Sequence, residues 1–289
     1  MPASRALMPD GRWHFQHGPM DVVLGADGER AAVEAAHAAA WKRFEPLLDE
    51  LVAELALLRQ PVGGVCALRG RTARRMWSAC EPYREGFITP MAAVAGAVAQ
   101  ELIEAYERPG IARAWANDGG DIALLLAPGE RVRVGLFADL ARLDPAMLRN
   151  GIALDARFEI RSDMPVRGVA TSGWRGRSFS LGIADSVTVL ARTAAEADAA
   201  ATVIANAVNV DDPRIVRRPA CELKDGTDLG TIPVTVDVPP LGAALVRRAL
   251  AAGLARARAL REAALVEAAA LVCQGIAVTT GRADAMIAA

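Results

Sequence analysis

The chain has 289 residues, 53% of them hydrophobic, with 33 Lys plus Arg against 34 Asp plus Glu. This length supports one large domain or two fused ones, and the balanced charge excludes an overall field that would recruit nucleic acid or an anionic membrane. Four cysteines, Cys66, Cys80, Cys221 and Cys273, lie far apart with no CxxC pair, which argues against a zinc knuckle or a disulfide framework and for a reducing, cytoplasmic setting.

The first residues, "MPASRALMPDGRWHFQHGPMD", lack the apolar centre of a signal peptide, and no charge-poor apolar span suits a membrane helix. A soluble intracellular protein with no membrane partner and no nucleic-acid partner is expected. His14, His17 and His37 are the only histidines, so a histidine-based nucleophilic triad is unpromising, and structural or solvated roles suit His14 and His17 better than a metal site. "RWHFQH" and "MDVVLG" read as two strands, and Asp27-Gly28 opens a helical stretch ending near Arg59.

"RTARRMWSAC" follows as a helix whose Arg71, Arg74 and Arg75 are expected in solvent. In "ITPMAAVAGAVAQELIEAY", Thr89 is an expected N-cap with Pro90 at the first helical position. Gly96 inside this helix marks close approach of another backbone or of a ligand. "ARAWAND", "DIALLLA" and "RVRVGLF" then form an expected antiparallel meander. Its Gly119-Gly120 is explained by turn geometry alone; it would equally let a ligand approach, with Asn117, Asp118 and Asp121 supplying oxygens.

Further strands are expected in "GIALDARFEIR", "VRGVATSG", "RSFSLG" and "DSVTVLA", then a helix over about 194–208 opened by a Thr193/Glu196 capping box. Residues 211–240 read as a mostly irregular excursion with one short strand, and 243–272 as a long Ala/Leu/Arg helical region. Without βαβ alternation or a Gly-rich phosphate fingerprint, the expected class is α+β, folded as a single domain over 1–289.

Two groups of residues suit ligand chemistry. Asp198 and Thr202 stand one helical turn apart among alanines and offer two hard oxygens to a cation such as Mg2+; a first-turn acid serving the helix dipole and a threonine bonded to its own backbone explain the same pair. "ATSGWRGRSFS" sets Thr171, Ser172 and Gly173 beside Trp174, Arg175 and Arg177, donors that suit a phosphate and an indole that suits a flat ring; an exposed Arg-Gly turn is the plain alternative.

Taken in order, "TPMAAVAGAVA", "NDGGDI", "ATSG", "SLGIADSVTVLA" and "ADAAAT" resemble the ApbE-like superfamily of FAD:protein FMN transferases, especially its uncharacterised-protein-family branch, across most of 10–280. The resemblance implies a T-fold-related architecture of mostly antiparallel sheet and packed helices. It also implies Mg2+-dependent transfer of FMN from FAD to a threonine of an acceptor protein. Asn117, Gly119, Gly120, Asp121, Thr171, Ser172 and Gly173 match the family's nucleotide-site positions, Asp198 and Thr202 its metal ligands, and all would line one cleft. No catalytic residue is assigned. The chain departs from the transferases at Ala95, where they carry lysine, and at Arg177, in a segment where they carry histidine. A non-catalytic protein binding a nucleotide or another small molecule, or an enzyme using the same cleft on another small substrate, is the alternative; a homo-oligomer is compatible with either.

Overall fold

The computed structural model describes residues 2–136, 156–280 and 286–287. In chain order the elements are β1 (Ser4–Leu7), β2 (Trp13–His17), β3 (Met20–Gly28), α1 (Arg30–Ala53), α2 (Leu55–Leu58), α3 (Arg71–Cys80), α4 (Val94–Ile103), β4 (Ile111–Asp118), β5 (Asp121–Leu126) and β6 (Arg131–Leu136). They continue as β7 (Ala156–Arg161), β8 (Gly168–Ser172), β9 (Ser186–Ala191), α5 (Ala194–Ala207), β10 (Val216–Pro219), β11 (Pro233–Asp237), α6 (Ala243–Glu262), β12 (Ala268–Cys273), β13 (Ile276–Thr279) and β14 (Met286–Ile287). The fold is α+β with an antiparallel sheet, as its alternating strands and short connections require. Of the strand expected in "GIALDARFEIR", the part before residue 156 lies outside the described residues, as does Phe137 of "RVRVGLF".

The chain divides into two compact units, Met1–Arg131 with Arg161–Ala170 and Leu190–Ala199, and Val132–Ile160 with Thr171–Val189 and Ala200–Ala289. In the first, β1, β2, β3, β4, β5 and β8 pair in that order, each pair antiparallel. Across the β4–β5 pair, Ala114, Ala116, Asp118, Asp121 and Ala123 line one buried face, while Leu124 and Leu126 are buried on the other. Phe15, Trp41 and Phe44 form an aromatic cluster between strand and helix, with Trp41 edge-on to Phe15.

Arg71 and Arg75 of α3 do not sit in solvent alone: Arg75 donates to Glu101 at 2.7 Å and pairs with Glu104, and Arg71 pairs with Glu104. Arg43 of α1 donates to Glu101 at 2.8 Å. One buried carboxylate from α4 thus ties two other helices, a partnership invisible in the local sequence of α3. Helix α4 itself starts later than expected, because Pro90–Ala93 forms a 3-10 turn and the Thr89 side chain makes no capping bond.

In the second unit β9, β12 and β13 are neighbours in order, and α6 buries Val246, Ala249, Leu250, Gly253, Ala257 and Leu260 along one stripe. The helical reading of 243–272 is corrected: α6 ends at Glu262, and Ala268–Cys273 is a strand. Its closure is a Schellman turn, with Leu265 N–H on the Leu260 carbonyl at 2.9 Å and Ala264 N–H on Arg261 at 3.0 Å. Ala264 takes φ 55° there, a conformation usually given to glycine, so no residue type announces the stop. The reversal between β12 and β13 uses Gln274 and Gly275, both at positive φ, as a two-residue hairpin demands. Within 211–240 the chain holds two short strands rather than one, β10 and β11, paired antiparallel.

Candidate functional site

The Gly-Gly turn joins β4 to β5, with Asp118 directly opposite Asp121. Gly119 and Gly120 take φ 65° and 114°, which a two-residue turn needs and side chains resist. Asn117 Oδ1 accepts the Gly120 N–H at 2.8 Å, so its amide oxygen stabilises the turn. Among the described residues, none beyond its chain neighbours lies within 4 Å of where a Cβ on Gly120 would stand. The glycine is there for backbone geometry, and its outer side is open. Asp118 and Asp121 are buried, and Asp118 Oδ1 accepts the Asp21 N–H at 3.3 Å.

Still in the first unit, the start of α4 meets the start of α5. A Cβ on Gly96 would stand 2.3 Å from the Ala194 carbonyl oxygen, so only glycine permits this approach; the close neighbour expected from the sequence is another helix backbone. Gly96 donates its N–H to Asp198 Oδ2 at 2.9 Å. Gln100 Oε1 accepts the Ala195 N–H at 3.4 Å, and Thr193 Oγ1 accepts the Glu196 N–H at 3.2 Å, the forward half of the expected capping box. Burial pushes the Asp198 carboxyl up to about 7, and the negative charge of Asp118 adds to the rise, against the opposing hydrogen bonds from Gly96 and Ala95. The charge of Asp118 thus disfavours ionisation of Asp198 near a helix start.

Thr202 follows Asp198 by one turn on α5 and is half-buried. In the second unit, Thr171 Oγ1 and Thr188 Oγ1 share a hydrogen bond of 2.8 Å at the end of β8, with Ser172 half-buried next to them. Gly173 is required sterically, since a Cβ would meet the Asp185 carbonyl oxygen at 2.3 Å. Asp185 then organises the following loop: its Oδ1 accepts the Trp174 indole N–H at 3.3 Å and faces Arg175 Nε at 3.4 Å, while its Oδ2 accepts the Gln274 N–H at 2.5 Å. The Arg175 guanidinium lies 5.0 Å from the Trp174 ring centre. Arg175 therefore has a carboxylate partner, and Arg177 stands exposed beside it.

The structure brings Asn117, Gly119, Gly120 and Asp121 together in one hairpin and Thr171, Ser172 and Gly173 together at one strand end. The sequence marks Gly96 as a close approach and Asp118 as an oxygen donor, but not Asp198 as the group on which both act, nor Asp185 as the organiser of its loop. Asp118 and Gly96 stood inside recognised motifs; Asp185 had only a charge in a strand-like segment as its signal. The four cysteines carry no disulfide, and no helix among the described residues is long and apolar enough to cross a membrane.

The family model described as AbpE bacteria matches residues 5–282. The UPF0280 protein MK0206 of Methanopyrus kandleri is 36% identical over 208 residues, covering 71% of this chain and 77% of that protein. A UPF0280 protein of Methanospirillum hungatei is 36% identical over 132 residues, 45% of this chain and half of that protein. Among solved structures, a mutant of the flavin transferase ApbE from Vibrio cholerae aligns over 97% of this chain and 98% of its own, with a TM-score of 0.50 at 11% identity, a likeness of fold. With the family model spanning nearly the whole sequence and the diglycine hairpin, strand-end Thr-Ser-Gly and alanine-rich helix in their expected elements, the chain belongs to the ApbE-like family.

Proposed function

We propose that the chain binds a flavin nucleotide together with Mg2+. The observation that carries this is the Asp198 carboxyl, held on the α4 start by Gly96 and set against Asp118, an arrangement whose electrostatic cost a bound cation relieves. The donor set fits a hard cation, with Asp198 and Thr202 as the residues that would hold it and water and phosphate oxygens completing the shell. When bound, Mg2+ supplies charge neutralisation on the diphosphate. The backbone at Gly120 is open to a ligand, and Thr171, Ser172 and Gly173 would offer hydroxyls and N–H groups to its polar atoms. In this reading the whole chain, both units included, is one ApbE-like domain acting in the cytoplasm.

Transfer of FMN from FAD to a threonine of an acceptor protein is the further activity we propose to test. Its balance is simple: the acceptor hydroxyl oxygen bonds to the FMN phosphorus, the diphosphate P–O bond breaks, AMP leaves and the hydroxyl proton passes to solvent. Ala95 and Arg177 favour the second reading, nucleotide binding without transfer, because the transferases the sequence resembles carry lysine and histidine in those segments. Titration calorimetry with FAD, FMN and AMP, with and without Mg2+, tests binding, and mass spectrometry for released AMP and an FMN-modified threonine tests transfer. Mg2+-dependent binding without AMP release selects the second reading; no binding of any of the three overturns both.

A further inference from the structure

The space between α1 and the strands of the first unit is filled at one end and open at the other. Phe15, Trp41 and Phe44 fill it along the middle of the helix. At the helix start, Arg30, Val33, Glu34 and His37 form one stripe that faces Trp13 of β2 and Ala26 of β3 across an open cleft of about 500 Å3, a volume in the range of small-molecule sites. Leu7 stands opposite Trp13 in the sheet register and lines the same cleft, although 61% of its surface is exposed. The charges at the rim are compensated: Asp27 accepts from Arg113 at 2.5 Å and Glu34 from Arg30 at 2.8 Å.

His37 supplies the polar group. Its side chain is buried, 8% exposed, and its Nδ1 lies 2.6 Å from the hydroxyl of the fully buried Tyr106. That hydroxyl has no second hydrogen-bond partner among the described residues, so it donates its proton to Nδ1; turned the other way, the proton would be buried without an acceptor. Nδ1 is therefore the acceptor, and the neutral ring carries its own proton on Nε2. Burial lowers the His37 pKa, which keeps the ring neutral at physiological pH. Nε2 has no protein partner among the described residues. It is not one of the side-chain atoms sealed from solvent without a partner, which are His17 Nδ1, Thr72 Oγ1, Glu196 Oε2 and Thr235 Oγ1, so its N–H opens to the cleft that His37 lines.

We infer that this cleft binds a neutral aromatic carbonyl compound, its ring against Trp13 and Leu7 and its carbonyl oxygen on the His37 Nε2–H. Apolar walls select the ring, a donor of fixed tautomer selects an acceptor, and the compensated rim selects a molecule without charge. The site is separate from the nucleotide reading. Asp27 pairs with Arg113 near one end of β4, whereas the diglycine turn follows Asp118 at the other, about 17 Å away at ~3.4 Å per residue.

The test is nuclear magnetic resonance on the full chain with isotope-labelled histidine nitrogens, using acetophenone as the probe. The chain has three histidines, so each signal is assigned by substitution. The free chain should show His37 protonated on Nε2, and acetophenone should shift that signal saturably while His14 and His17 stay in place. Ethylbenzene, close in shape but without the acceptor, should bind about threefold to tenfold more weakly, the worth of one hydrogen bond. In His37→Phe, followed by saturation transfer to the probes, the two should bind alike, because the ring is kept and the donor is lost. If that variant does not fold, the comparison of the two probes on the wild-type chain decides. Four results overturn the proposal: a His37 ring protonated on Nδ1 in the free chain, no saturable shift at His37, equal wild-type affinity for the two probes, or displacement of acetophenone by FMN.

Discussion

Gly96 and Asp198 are joined by a 2.9 Å hydrogen bond from the backbone of one helix to the carboxylate of another, and a Cβ on Gly96 would press to 2.9 Å from the Asp198 Cβ. The glycine therefore sets the position of the candidate metal ligand. In Gly96→Ala the added methyl also meets the Ala194 carbonyl oxygen, backbone that cannot rotate away. Destabilisation by about 1–3 kcal/mol is expected, as for other overpacked cores. Urea denaturation measures it, and a Gly96→Ala chain as stable as wild type would show that the two helix starts are farther apart than described.

The same carboxylate predicts a pH dependence. Its pKa is raised from 3.8 to about 7 in the fold, by burial and by Asp118. An acid whose pKa is raised binds its proton more tightly when folded, so its stabilising contribution is full below the unfolded pKa near 4 and is lost as pH rises through about 7. In the metal-free chain Asp198→Asn should thus be stabilising at pH 8, by on the order of 1 kcal/mol, and indifferent at pH 4. Mg2+ competes with that proton, so wild-type Mg2+ affinity should climb between pH 6 and 8, a window set by the same raised pKa. Urea denaturation of both chains at pH 4 and pH 8 checks the stability and calorimetric titration between pH 6 and 8 checks the affinity, and a flat profile in either refutes that statement.

The diglycine turn separates a structural role from a binding role. Gly119 has φ 65°, a conformation asparagine tolerates better than other side chains. Gly119→Asn should keep stability within about 1 kcal/mol. If a nucleotide approaches that backbone, its affinity should drop about tenfold, a loss of roughly 1.4 kcal/mol. Unchanged affinity in a stable variant would leave the turn as a hairpin and nothing more.

Glu101 predicts a stability effect remote from any ligand. Its burial alone would raise the carboxyl pKa, but the Arg43 hydrogen bond and the charges of Arg75, Arg43 and Arg71 hold it below the ordinary value. Stability from this group is present above the unfolded pKa and is lost as pH falls through the lower folded one. Glu101→Ala should cost roughly 2–3 kcal/mol at neutral pH, the low side of values for broken buried pairs because the arginines retain some solvent. Thermal melts at pH 7 and at pH 3 should show the gap closing in acid.

The sequence by itself determined the local grammar. The apolar runs on either side of Gly119-Gly120 specified β4 and β5, the diglycine specified their turn, and the Ala/Leu/Arg composition after residue 243 specified a helix, because these signals arise from neighbours within a few residues. The ordered motifs sufficed for the family. Tertiary structure decided what depends on partners distant in the chain: that Gly96 is a helix crossing, that Arg71 and Arg75 serve a buried Glu101, and that Asp185 gathers Trp174, Arg175 and Gln274. It also decided the end of α6, where an alanine takes a left-handed turn that composition does not mark and the following Ala-Leu-Val run is a strand because β13 pairs with it. Periodicity reports which face of an element is buried, whereas the identity of the group that meets that face is fixed only by folding.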